Sequence, residues 1–169
     1  MGFYMAVKIL RVSLLCLTVL WVGFIFANSM DNGVESGKKS STVTVIVNEV
    51  AESVGIDEEI PESTVRNMAH FGEFAVLSLF VCADLALLSF VRSADWRRAA
   101  VTLMTSAPIC CLAACVDELI QKFSAGRAAQ LSDVLTDTLG AICGMAVFIL
   151  FYIAIRAVKK KAAHNGDLR

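Results

Sequence analysis

Four stretches of this chain are each long and apolar enough to cross a bilayer, and no other feature restricts its fold so sharply. They run at about 9–27, 69–91, 99–120 and 131–157. A helix needs about 20 mostly apolar residues to traverse the hydrocarbon core. An open strand in lipid would leave its backbone groups unpaired, so each stretch is expected to be a helix. Composition agrees: only 18% of residues are charged, against roughly 25% in an ordinary soluble domain. A net charge of −1 argues against a nucleic-acid binder. The expected fold is therefore all-α: a polytopic membrane protein built on a four-helix transmembrane bundle. Residues 1–8 form an N-terminal tail, 9–157 the transmembrane domain and 158–169 a basic C-terminal tail.

The first apolar run follows Lys8 and Arg11, as a secretory leader would. It is too long for one, and Phe26-Ala27-Asn28-Ser29 offers no small-residue cleavage site. It reads as a retained helix. Arg92, Arg97 and Arg98 lie between the second and third spans, and Arg156 and Lys159 to Lys161 follow the fourth. The positive-inside rule makes these clusters cytoplasmic, with both termini inside and the loops 28–68 and 121–130 outside. Trp96 is placed as an interfacial anchor on the inner side. In the long outer loop Val43, Ile46, Val47, Val50, Ala51 and Val54 recur at helical spacing. They predict a short amphipathic helix resting on the outer surface or on the bundle, capped by Ser40, Ser41 or Thr42. Val45 breaks the stripe and leaves a strand as the alternative. Pro61 sets the start of the second span's helix near 62–64, and Pro108 is expected to kink the third. All six cysteines lie in apolar runs, which suits packing between helices better than a disulfide framework.

The polar residues of the spans fall at one side of the membrane. Asn28 and Ser29 close the first span, and His70 and Glu73 open the second. Asp117, Glu118 and Gln121 close the third, while Arg127, Asp133 and Asp137 belong to the start of the fourth. His70 and Glu73 share a helical face, as do Asp117 with Gln121 and Asp133 with Asp137. The last face continues through Gly140 and Gly144, a G-x-x-x-G pair that lets another helix approach closely. The acids therefore point into the bundle, where they are expected to gather in one outward-opening chamber. An unpaired buried carboxylate costs several kcal/mol or about that. His70, Lys122 and Arg127 are too few to balance Glu73, Asp117, Glu118, Asp133 and Asp137. Some of these carboxyls are then protonated, or a divalent cation or a hydrogen-bonding ligand completes the site. Asp84 lies deeper on the second span, where pairing with Arg92 or Arg97, or snorkelling toward the inner surface, is expected in preference to a proton relay.

Three runs carry a family resemblance. They are Arg66-Asn67-Met68-Ala69-His70-Phe71-Gly72-Glu73, Asp117-Glu118-Leu119-Ile120-Gln121 through Gly126-Arg127, and Ser132-Asp133-Val134 through Asp137 and Gly140. Together with Phe26-Ala27-Asn28-Ser29-Met30 they resemble the VanZ-like family of bacterial membrane proteins over about residues 20–145. Phe74 stands where many members have tyrosine, and Asp137 where many have asparagine. The resemblance implies a bacterial plasma-membrane protein that lowers susceptibility to the glycopeptide teicoplanin or otherwise changes the cell envelope. The implied partners are membrane lipids or a lipid-linked envelope glycan. In that reading His70, Glu73, Asp117, Glu118 and Asp133 are the candidate catalytic groups, as acids, bases or cation ligands. Ser29, Gln121, Arg127 and Asp137 are the candidate substrate contacts, Arg127 as the clamp for a phosphate or carboxylate. Catalysis and binding both stay open. The alternatives are a non-enzymatic accessory protein held together by its polar helix ends, and a small transporter or proton relay.

Overall fold

The computed structural model describes residues 2–88, 96–126 and 130–166. Helix α1 spans Gly2–Met30, α2 Gly33–Ser53, α3 Glu62–Leu88, α4 Trp96–Phe123 and α5 Leu131–Gly166. Four of them, α1, α3, α4 and α5, are long and apolar enough to cross a membrane. No strand occurs among the described residues, so the fold is the expected all-helical bundle.

Side chains are distributed inside out relative to a water-soluble protein. Leu10, Leu15 and Leu20 of α1, Met104 and Leu112 of α4, and Leu139 and Phe151 of α5 lie on the outside. Ser29, Ser78, Ser106, Asp117, Gln121 and Asp137 are buried. In water such a surface would expose far more contiguous apolar area than a soluble monomer tolerates. In lipid it is the stable arrangement, because tails solvate leucine and the polar groups find partners between helices. The apolar core runs between the four spans through Ile25, Phe74, Leu77, Val81, Cys110, Ala114, Ala141 and Met145.

The closest helix pair is α3 with α5, and the glycines explain it. A Cβ at Gly140 would collide with the carbonyl oxygen of Phe71, and one at Gly144 with the carbonyl of Ala75 and the Ser78 hydroxyl. The two backbones touch along this seam, as the G-x-x-x-G spacing predicts.

The outer segment departs from expectation. Its helix is 21 residues long and begins at Gly33, before the expected Ser40–Thr42 cap. Asn32 is the actual N-cap: its side-chain oxygen accepts from the amides of Val34 and Glu35 at 3.1 and 2.9 Å. Helical hydrogen bonding runs through Val45, which removes the strand alternative. At the far end Asn48 bonds both the amide and the carbonyl of Ile60, folding the return segment onto α2. Asn32→Ala is expected to lower stability by about 0.5–2 kcal/mol. Hydrogen exchange should show the loss as faster exchange confined to the first turns of α2.

Two further readings change. Asp84 is held by Thr18, whose hydroxyl donates to its carboxylate at 2.6 Å, and not by Arg97; Arg92 lies outside the described residues. Of the cysteines, only Cys82 and Cys110 pack inside, Cys82 against the Ser106 hydroxyl at 3.3 Å. Cys16, Cys111, Cys115 and Cys143 face outward, and all six are free thiols. The α3 helix starts at Glu62, directly after Pro61, as expected.

Candidate polar pocket

Consecutive spans run in opposite directions, so the C-terminal ends of α1 and α4 meet the N-terminal ends of α3 and α5. Four polar ends thereby converge. The centre is formed by His70 of α3, Asp117 of α4 and Asp137 of α5, whose ligating atoms lie within 4.8 Å of one another. His70 Nδ1 stands 3.6 Å from Asp137 Oδ1 and 4.0 Å from Asp117 Oδ2. Both carboxylates are 0% exposed.

Asp117 is firmly held. Ser29 Oγ of α1 donates to Oδ1 at 2.5 Å, and Gln121 Nε2, one helical turn along α4, donates to Oδ2 at 2.8 Å. Ser29 is braced in turn, because Ser124 Oγ donates to its carbonyl at 2.8 Å. Asp137 is the opposite case: neither of its oxygens has a hydrogen-bond partner among the described residues. Buried polar atoms nearly always have one, so Asp137 is the exception in the cluster.

The remaining expected residues spread around this centre. Glu73 Oε1 accepts from Asn28 Nδ2 at 3.1 Å, and Trp21 Nε1 donates to the Glu73 carbonyl at 2.9 Å. Glu118 accepts from the backbone amide of Gln130, which ties the end of α4 to the start of α5. Asp133 is buried and accepts from Ser132 Oγ at 3.1 Å. Arg127 lies outside the described residues.

The expected single chamber is instead a pair of cavities. One, of about 190 Å³, is lined by Asn28, Lys39, Arg66, His70 and Glu73 among others. The other, of about 390 Å³, is lined by Arg66, Gln121, Gly126, Gln130 and Asp133 among others. Ser36 and Ser40 of α2 and Arg66 of α3 border both. The division arises because α2 lies across the open end of the bundle. Gly33 fixes it there: its amide donates to the Ala125 carbonyl at 2.9 Å, and a Cβ at Gly33 would come within 2.7 Å of the Gly126 carbonyl oxygen. Gly126 itself has φ +77°, a conformation that glycine adopts without strain.

Arg66 and Lys39 are the groups that sequence reasoning left out of the site. Both bring positive charge to the first cavity, Lys39 while paired with Asp31 at 2.6 Å. A signal for Arg66 existed: it precedes His70 by four residues and Glu73 by seven, a single helical face. Lys39 had no such signal, because the path of α2 over the bundle is a tertiary fact.

The molecule is thus a polytopic helical membrane protein with an acid–imidazole cluster buried at one end of its bundle and basic groups beside it. The chain belongs to the VanZ/LLP1 family, whose family model matches residues 14–152. No curated protein and no solved structure gave a match.

Proposed function

We propose that this VanZ/LLP1-family protein binds, and through that binding alters, an anionic envelope lipid or lipid-linked glycan at the outer face of the bacterial plasma membrane. Reduced susceptibility to teicoplanin-type glycopeptides is the cell-level consequence. The observation that carries the reading is the smaller cavity, where Lys39 and Arg66 share a wall with His70 and Glu73. A guanidinium and an ammonium suit the phosphate or carboxylate of a headgroup. The imidazole and carboxylates suit hydroxyls and proton transfer beside it. Arg66 adds a second anion clamp to the one expected of Arg127. A headgroup reaching this cavity from the membrane keeps its acyl chains against the apolar exterior of the spans.

The orientation assumed, polar end outward and both termini cytoplasmic, follows from the basic clusters flanking the spans. A reporter fused after Lys161 should read as cytoplasmic. In a teicoplanin killing assay, Glu73→Ala and Asp133→Ala are each expected to abolish protection at unchanged membrane abundance, and Asp117→Ala to abolish it whatever abundance remains. Arg66→Gln should lose it as well, with Arg66→Lys retaining part. Asp84→Asn, remote from the cluster, should protect like the unaltered protein, whereas a proton relay would need that acid. Full protection by the Glu73, Asp117 and Arg66 variants would overturn the pocket reading.

A further inference from the structure

We propose that His70, Asp117 and Asp137 form a binding site for one divalent cation of the zinc or manganese type. The proposal deepens the pocket reading and rests on it for the identity of the headgroup that the ion would meet. The three residues come from three different spans, and each offers one ligating atom, all within 4.8 Å of one another.

Three observations support an ion at this place in preference to a set of mutual hydrogen bonds. The first is spacing. A direct charge-assisted bond between imidazole and carboxylate would be about 2.7–2.9 Å. His70 Nδ1 instead stands 3.6 and 4.0 Å from the two carboxylates. Two ligands sharing a tetrahedral ion at bond lengths near 2.1 Å lie about 3.4 Å apart; the His70–Asp137 pair at 3.6 Å is close to that spacing, and the wider pairs, within 4.8 Å, would close in around the ion. The second is the unsatisfied state of Asp137, fully buried, with no hydrogen-bond partner on either oxygen among the described residues. A charged carboxylate in such surroundings is strongly disfavoured without a counter-charge. A doubly charged ion balances both aspartates at once. The third is the support given to Asp117. Ser29 and Gln121 fix the orientation of its carboxylate, as outer-shell partners do for metal ligands, and each oxygen keeps a further lone pair for a metal.

The donor set narrows the ion. One imidazole nitrogen with two carboxylates favours zinc or manganese over magnesium and calcium, which prefer oxygen ligands alone. Three protein ligands leave at least one coordination position open. An oxygen of the headgroup in the cavity that His70 lines could take that position.

The test is titration of the purified, chelator-stripped full-length protein in lipid nanodiscs with zinc chloride and, separately, manganese chloride. Uptake is followed by elemental analysis and by the shift in thermal unfolding. About one ion per chain is expected, with a raised unfolding temperature. Asp137→Asn and His70→Ala should weaken binding by more than about tenfold, and Gln121→Ala by about 10- to 100-fold through loss of its hold on Asp117. Asp84→Asn should bind like the unaltered chain. Should Asp137→Asn fail to fold, the Gln121→Ala result decides. No stoichiometric uptake of either ion, or equal uptake by all variants, overturns the cation proposal. The two readings fail separately: loss of teicoplanin protection in Arg66→Gln and Glu73→Ala without any ion uptake removes the cation alone. Retained protection in the Arg66, Glu73 and Asp117 variants removes the pocket reading whatever the titration shows.

Discussion

Gly144→Leu is expected to remove nearly all folded protein from the membrane. At Gly144 even a methyl group would strike the Ala75 carbonyl oxygen and the Ser78 hydroxyl. Backbone cannot yield as a flexible side chain can, so leucine must push α5 away from α3. Overpacking usually costs about 1–3 kcal/mol. Here the contact is backbone on backbone in the closest helix pair, and a loss above about 3 kcal/mol is expected, a large share of an ordinary protein's total stability. The damage should reach the polar cluster, because seam and site share their helices. His70 precedes the Phe71 that meets Gly140, and Asp137 lies one turn before Gly140. Monodisperse yield from detergent, read beside Gly72→Ala, checks this. Gly72 has open space at its Cβ position, and its alanine variant should express and melt like the unaltered chain. A Gly144→Leu protein of normal yield and unfolding temperature would show that the helices do not meet here.

That seam was legible before any coordinates, and the reason is local. Helical periodicity and small residues four apart are properties of one segment, so Gly140, Gly144 and the Asp133–Asp137 face could be read directly. The four spans followed from length and composition, and the start of α3 from Pro61. The early start of α2 was also written locally, as Asn32 with Glu35 three residues on, a cap pattern obscured by the Asn-Gly pair that usually marks a turn. Other features depend on how helices rotate against one another, which no single segment records. Asp133 and Asp137 are equivalent by spacing, yet only Asp137 joins His70 and Asp117. Glu118 has the same apparent standing as Asp117, but it serves the Gln130 amide at the α5 start. Thr18 and Asp84 meet across 66 positions of sequence, a pairing that charge counting had no means to find. The same limit explains why the acids were assigned to one chamber: the path of α2 that splits it is set by the contact between Gly33 and the 125–126 turn.

The two central aspartates are expected to respond to substitution in opposite directions. Asp117 accepts hydrogen bonds from Ser29 and Gln121, all three buried. Asp117→Ala leaves those donors unsatisfied, and an orphaned buried polar group costs about 1–3 kcal/mol. The unfolding temperature should fall. Asp137 accepts no hydrogen bond from the described residues, so Asp137→Val removes an unsatisfied carboxylate and puts an apolar side chain of similar size in its place. Burying a polar group without a hydrogen bond costs about 1–3 kcal/mol in proteins, and removing the carboxylate recovers that cost. Measured with chelator present, so that no ion supports the native protein, Asp137→Val should therefore unfold at a higher temperature. Both variants should nevertheless lose teicoplanin protection. This divergence separates a working pocket from polar residues that only hold helices together. If the cluster were glue, protection would track stability, and Asp137→Val would protect at least as well as the native chain. Stored strain or unsatisfied charge at a site is kept because function requires it. A stabilised but inactive Asp137→Val protein is the result expected of such a site, and an active one would assign the cluster to the scaffold.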